Sequence, residues 1–193
     1  YFPTMIQIRP SDTVIDIGAH IGTFAIKAAL KVTKGKVYAY ELSADSFELL
    51  KENIALNGLT NIKAFNEAVT NYVGEAEFTL CKDNPLSHSL LKDPKNGLKK
   101  RVKTTTLSQI ILANKIDKIG YLKVDCEGAE HDVLYHTPIE LLHKIEWIHV
   151  ECEDIDKERN TETMLAFLKG SGFRLETCKA PYGGLLVYGH REQ

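Results

Sequence analysis

The chain has 193 residues, 44% of them hydrophobic and 26% charged, and a net charge of −2. The length suits one domain, residues 1–193, with a sizeable core, and the balance is that of an ordinary globular protein. The near-neutral charge excludes a global attraction to nucleic acid or an anionic membrane, and no apolar stretch is long enough to span a bilayer.

The predicted elements alternate from the start. Thr13 to Ile17 is a β-branched run that reads as a strand, and Ile21 to Val32 has helical spacing broken at Gly35. Lys36 to Leu42 is a second strand. Ser43 is placed to cap a helix over Ser46 to Leu56, closed by Asn57-Gly58. Asn61 to Asn66 is a third strand, so the order β-α-β-α-β predicts a parallel sheet covered by helices on both faces.

Residues 71–106 break this rhythm. Glu75 to Leu80 and Val102 to Thr106 look like strands around a polar loop, an insertion that is a candidate cover for a substrate. Asp83 to Leu86 within it reads as a turn. Then follow a short helix over Leu107 to Asn114, a strand over Tyr121 to Asp125 and a helical stretch to Tyr135. Ile139 to Lys144 is helical, Trp147 to Glu151 a strand, and Thr161 to Lys169 a helix ending at Gly170. Phe173 to Thr177 and Leu185 to Tyr188 are separated by a short turn, so they should pair antiparallel.

The cysteines, Cys81, Cys126, Cys152 and Cys178, match no metal knuckle and no CxxC pair. Cys126 and Cys152 should be buried, reduced thiols, which suits a cytoplasmic protein. No signal-peptide pattern is present.

The stretch VIDIGAHIGTFAI, residues 14–26, carries the first functional signal. Ligands of open α/β sheets bind beyond the carboxyl ends of the strands, and Asp16 with Gly18 to Gly22 lies at such an end. Glycine allows a sharp turn and a close backbone approach. The second strand ends in Glu41, near the offset at which a carboxylate accepts hydrogen bonds from two ribose hydroxyls. The glycine spacing is not that of a dinucleotide fingerprint, and an acid at the strand end repels a pyrophosphate. An acid there suits an ammonium. A nucleoside joined to an amino acid, S-adenosylmethionine, satisfies both acids. A tight turn with no ligand is the bland alternative.

VIDIGAHIGTFAI, VYAYEL, LKVDCEGAEHDVL and WIHVE together resemble the FkbM family of S-adenosylmethionine-dependent methyltransferases, from about Pro10 to about Asp154. The resemblance implies a Rossmann-like class I methyltransferase fold: a seven-stranded, mostly parallel sheet with an antiparallel last strand. It implies methyl transfer, often to a hydroxyl of a sugar or sugar-bearing metabolite. The loop Asp16, Gly18, Ala19, His20, Gly22, with Thr23 beside it, would hold the methionine moiety. Glu41 would bind the ribose, Leu42 would pack on the adenine, and Glu67 and Ala68 would contact its edge. Asp125 and Glu127 would face the transferred methyl.

Methyl transfer needs alignment first, and a hydroxyl nucleophile also gains from a base. Asp125, Glu127, Glu151 and, in the 71–106 loop, His88 are the candidates. Glu130 reads as a helix-start acid favoured by the dipole. No metal is expected. His149 reads as strand packing, and His131, His136 and His143 as helix-surface residues. Residues 92–103 hold six basic residues against one acid, which fits a solvated loop or an anionic acceptor. The partner expected is a small molecule, with RNA methylation and a non-catalytic scaffold as alternatives.

Overall fold

The computed structural model describes residues 8–80, 88–89, 98–180 and 184–191, with the side chains of 79–80, 88–89 and 98 outside that description. In chain order the elements are β1 (Thr13–Ile17), α1 (Thr23–Lys31), β2 (Lys36–Tyr40), α2 (Ala44–Leu56), β3 (Ile62–Phe65), β4 (Glu67–Val69), β5 (Gly74–Leu80), β6 (His88–Ser89), β7 (Leu98–Thr105), α3 (Leu107–Ala113), β8 (Ile119–Val124), α4 (Glu130–Tyr135), α5 (Ile139–Leu142), β9 (Ile145–Cys152), α6 (Thr161–Gly170), β10 (Arg174–Lys179) and β11 (Leu185–His190).

Seven strands form the main sheet in the order β3-β2-β1-β8-β9-β11-β10. All neighbours are parallel except β11, which runs antiparallel to both β9 and β10. Two-residue periodicity sends alternate side chains to opposite faces. Ile15, Ile17, Leu122, Val124, Ile148 and Val150 meet α3, α4, α5 and α6 on one face. Val14, Val37, Ala39 and Tyr121 face the other way, towards α1 and α2.

The helix starts follow the expected chemistry. Ser43 Oγ accepts from the Ser46 N–H at 3.4 Å, and α2 closes at Asn57 with Gly58 in the left-handed region. The second strand stops at Tyr40, two residues earlier than its apolar pattern suggests. Glu41 and Leu42 therefore lie in the turn beyond it.

Residues 71–106 are more than two strands around a loop. β4 leaves the main sheet after Asn66, whose side-chain N–H group donates to the carbonyls of Glu41 and Leu42. β4 then pairs parallel with β7, giving a second sheet in the order β4-β7-β5-β6. Ala68, Phe78 and Val102 of this sheet are buried against Leu42 and Ala76. The small sheet is thus a wall beside the end of β2. The turn at Asp83 to Leu86 and Cys81 lie outside the described residues.

Candidate active site

The carboxyl ends of β1, β2 and β8 meet at one cleft of about 190 Å³, lined by Gly18, His20, Glu41, Leu42, Asp125, Cys126 and Glu127. A narrow crevice continues from it between Gly18, Leu42, Cys126, Glu67 and Ala68.

The glycine loop turns over the end of β2. The amides of Gly18 and Ala19 both donate to the Tyr40 carbonyl, at 3.0 and 2.9 Å. Gly18 has φ +79, and a Cβ there would stand 1.7 Å from the Asp125 carbonyl oxygen, so only glycine lets the loop reach the β8 end. Gly22 has φ +93 where α1 begins.

Glu41 is buried, 6% exposed, and each carboxylate oxygen is fixed by a backbone amide. Oε2 accepts from His20 N at 2.7 Å and Oε1 from Ser43 N at 2.8 Å. Burial pushes this carboxyl up, and the two amide bonds oppose the shift. Each oxygen retains acceptor capacity for a hydroxyl on the cleft side. His20 sits in a left-handed conformation, φ 50, and burial lowers its ring pKa despite the opposing charge of Asp125.

The opposite wall is the turn Asp125-Cys126-Glu127-Gly128. Asp125 N donates to Ile17 O at 3.1 Å. Glu127 and Gly128 are both left-handed, φ 56 and 107. Glu130 makes this turn possible: its carboxylate, 1% exposed, accepts from Cys126 N at 2.9 Å and Gly128 N at 3.0 Å. Its role is to fold the preceding loop, a stronger function than the helix-dipole one expected. Burial pushes its carboxyl up to about 7, opposed by those amides.

Glu151, at the end of β9, is half-buried. Its carboxyl is pushed up to about 7, first by burial and then by Asp125, with Glu127 and Glu153 adding and Lys123 opposing. A carboxyl whose folded-state value lies above its ordinary 4.5 contributes stability that is present below that ordinary value and lost as pH rises through the folded value. The melting-temperature difference between Glu151→Gln and the native chain should therefore move in the variant's favour from pH 5.5 to pH 8. A difference independent of pH, measured by fluorimetric melts, contradicts the shift.

Of the loop residues expected to hold the cofactor, only Gly18 and His20 line the cleft. Asp16 does not line the cleft. It is fully buried, 0% exposed, because it lies on the same face of β1 as Val14, under α1. Its Oδ1 stands 3.4 Å from Lys123 Nζ in an ion pair. Thr23 is exposed at the start of α1 and, with the buried Ala19 and Gly22, also stays outside the lining. Glu151 stands next to the cleft rather than in its lining. The His88 side chain lies outside the described residues.

Lys123 carries no expected role, yet it is 9% exposed at the floor of the site. Its Nζ lies 2.9 Å from Asp125 Oδ2 and donates to Gly18 O at 3.3 Å. A lysine inside the apolar run YLKVD of a central strand was the available signal, since lysines are almost never buried unpaired.

Elsewhere, His131 is not a surface residue. It is fully buried and its Nε2 lies 3.1 Å from Asn160 O, whereas His136 and His143 are exposed. Cys126 and Cys152 are buried thiols, each pushed up chiefly by burial. In the basic stretch, Lys99 pairs with Glu77 at 3.1 Å and Lys100 with Asp45 at 3.3 Å. Lys99 and Lys100 are two of the four basic residues of that strand. Among the described residues no group of three or more His, Cys, Asp or Glu is placed to hold a metal ion, and no helix is long and apolar enough to cross a membrane.

The strand order, the reversed β11 and the acid beyond β2 define a class I methyltransferase fold. The chain superposes on the crystal structure of methyltransferase FkbM from Methylobacillus flagellatus KT with a TM-score of 0.67 at 15% identity, covering 98% of this chain and 46% of that one. Residues 16–175 match the methyltransferase FkbM domain, and the chain belongs to that family. It is 28% identical over 151 residues to methyltransferase sdnD of Sordaria araneosa, covering 63% of this chain and 58% of that protein. It is 25% identical over 205 residues to 31-O-demethyl-FK506 methyltransferase FkbM of Streptomyces tacrolimicus, covering 91% of this chain and 78% of that protein. The chain thus spans little more than half the length of the first relative.

Proposed function

We propose that this domain binds S-adenosylmethionine in the Glu41 cleft and directs methyl transfer to a hydroxyl of a small molecule, specifically a sugar or sugar-bearing metabolite. The observation that carries the reading is Glu41. It is a buried carboxylate past the end of β2, oriented by the His20 and Ser43 amides and facing a cleft closed by Asp125 and Glu127. That arrangement fits a vicinal diol, and the crevice at Leu42, Glu67 and Ala68 fits a flat base. The name of the Streptomyces relative, an O-demethyl substrate methyltransferase, favours oxygen as the acceptor atom.

S-adenosylmethionine, when bound, supplies an electrophilic methyl group on a positively charged sulfur. The chain's own residues supply position and a proton acceptor. Gly18 and His20 bring backbone close to the methionine part. Asp125 presents one oxygen to the cleft while Lys123 holds the other. Glu151 stands beside the cleft at the end of β9, where burial and Asp125 push its carboxyl up to about 7, and it accepts the hydroxyl proton, since a base is most effective when its pKa lies near the working pH. Glu127 orients the acceptor.

Glu151→Gln should keep native affinity for S-adenosylhomocysteine and lower turnover about 10²–10⁴-fold, read as S-adenosylhomocysteine formed from S-adenosylmethionine over a panel of hydroxylated small molecules. Undiminished turnover removes Glu151 as the base. A native chain that forms none with any acceptor and binds no S-adenosylhomocysteine overturns the proposal.

A further inference from the structure

We infer that Lys123 is a positioning residue: its buried ammonium ties the Gly18 loop to Asp125 and holds the Asp125 carboxylate towards the cleft. The inference rests on the cofactor reading of that cleft.

An ammonium has three N–H groups, and three oxygens surround this one. They are Asp125 Oδ2 at 2.9 Å, Gly18 O at 3.3 Å and Asp16 Oδ1 at 3.4 Å. The three acceptors come from different places: the interior of β1, the loop beyond it and the turn after β8. Lys123 therefore links the two walls of the cleft from beneath. The Phe24 ring of α1 lies 5.9 Å away and completes the enclosure. No lysine or arginine is among the described residues that line the cleft or its crevice, and Lys123 reaches the site through its contacts to Gly18 and Asp125.

Neutralising Asp16 alone is a poor reason for such a pair. Buried ion pairs are often no more stable than an apolar pair of the same shape, and the contact to Asp16 is the longest of the three. The shortest contact is instead to Asp125, a partly exposed residue of the cleft wall. Without Lys123 that carboxylate would be free to turn. The charged and titratable groups around the ammonium are Asp16 from β1, His20 and Glu41 from the two turns, Asp125 and Cys126 after β8, and His149 and Glu151 from β9. Burial would lower the Lys123 ammonium, but Asp16 and Asp125 outweigh it and hold it above its ordinary value.

Lys123→Met alone leaves Asp16 buried without a counter-charge and is expected to unfold the site. Asp16→Asn/Lys123→Met removes both charges and separates counter-ion from positioner. The double variant should melt near the native chain yet bind S-adenosylhomocysteine about tenfold more weakly, the loss of one charged hydrogen bond. Its Glu151 titration, followed by carboxyl carbon NMR, should move up, since Lys123 opposes that shift in the native chain. Native affinity with an unmoved Glu151 titration in the folded double variant overturns the inference. A second measurement needs neither that variant nor a ligand. In the native chain the Lys123 ammonium should give a slowly exchanging Nζ–H signal at pH 7.5, lost in Asp125→Asn. An ammonium that exchanges like surface lysines overturns the tether. Failure of the native chain to bind S-adenosylhomocysteine, with the protected signal present, would instead count against the cofactor reading alone.

Discussion

Glu41→Ala should weaken S-adenosylhomocysteine binding about ten- to a hundredfold, equivalent to about 1.5–3 kcal/mol for lost hydrogen bonds to a charged group. The loss has two sources. The carboxylate that would meet the ribose hydroxyls is gone, and the amides of His20 and Ser43 lose their acceptor. Glu41→Gln separates them. Its carboxamide keeps one acceptor oxygen but turns an N–H group against an amide donor, so it should also bind weakly. Calorimetry on the two variants checks this. A Kd within twofold of native for Glu41→Ala removes the ribose assignment.

Gly18→Ala should damage both the fold and the cleft. The added Cβ would meet the Asp125 carbonyl oxygen at 1.7 Å and its carbon at 2.7 Å, at a φ of +79. Neither backbone is free to move: Gly18 N is bonded to Tyr40 O, and Asp125 N to Ile17 O. Left-handed strain and this clash together should cost about 3 kcal/mol or more, a fall in Tm of about 6–12 °C for a chain of this size. S-adenosylhomocysteine binding should be lost. Gly22→Ala shares the left-handed strain, at φ +93, but its Cβ would meet the end of the Leu50 side chain at 2.5 Å rather than backbone, so it should cost less. A Gly18→Ala chain that melts within about 2 °C of native contradicts the close approach of loop and β8.

What was legible in the sequence is what is local. The β1 run, the glycine loop, the α1 spacing and an acid just past the second strand lie between Thr13 and Glu41, and each is a short-range signal. The antiparallel β10–β11 pair was readable from the short turn between them. Features that depend on which strands become neighbours were not. Asp16 was expected to meet a ligand, yet it shares its face with Val14 and points under α1. Two-residue periodicity alone carried that information. Lys123 makes sense only once β1 and β8 are adjacent, with Asp16 paired in register to Lys123. The second sheet was hidden for the same reason: the pairing of β4 with β7 joins Glu67–Val69 to Lys103–Thr105 across a long stretch of chain. That pairing also brings β7 beside β5, where Glu77 meets Lys99. Read linearly, the basic run looked free. His131 fell on a helix whose outward face was misjudged, because α4 is only six residues long and its apolar stripe is short.

The central claim is that the cleft between Glu41 and Asp125 is a S-adenosylmethionine site. Calorimetric titration with S-adenosylhomocysteine, with NAD as the control, tests it most directly. Saturable one-to-one binding of S-adenosylhomocysteine and no heat from NAD is the result predicted. Binding of NAD in its place, or of neither compound, would contradict it.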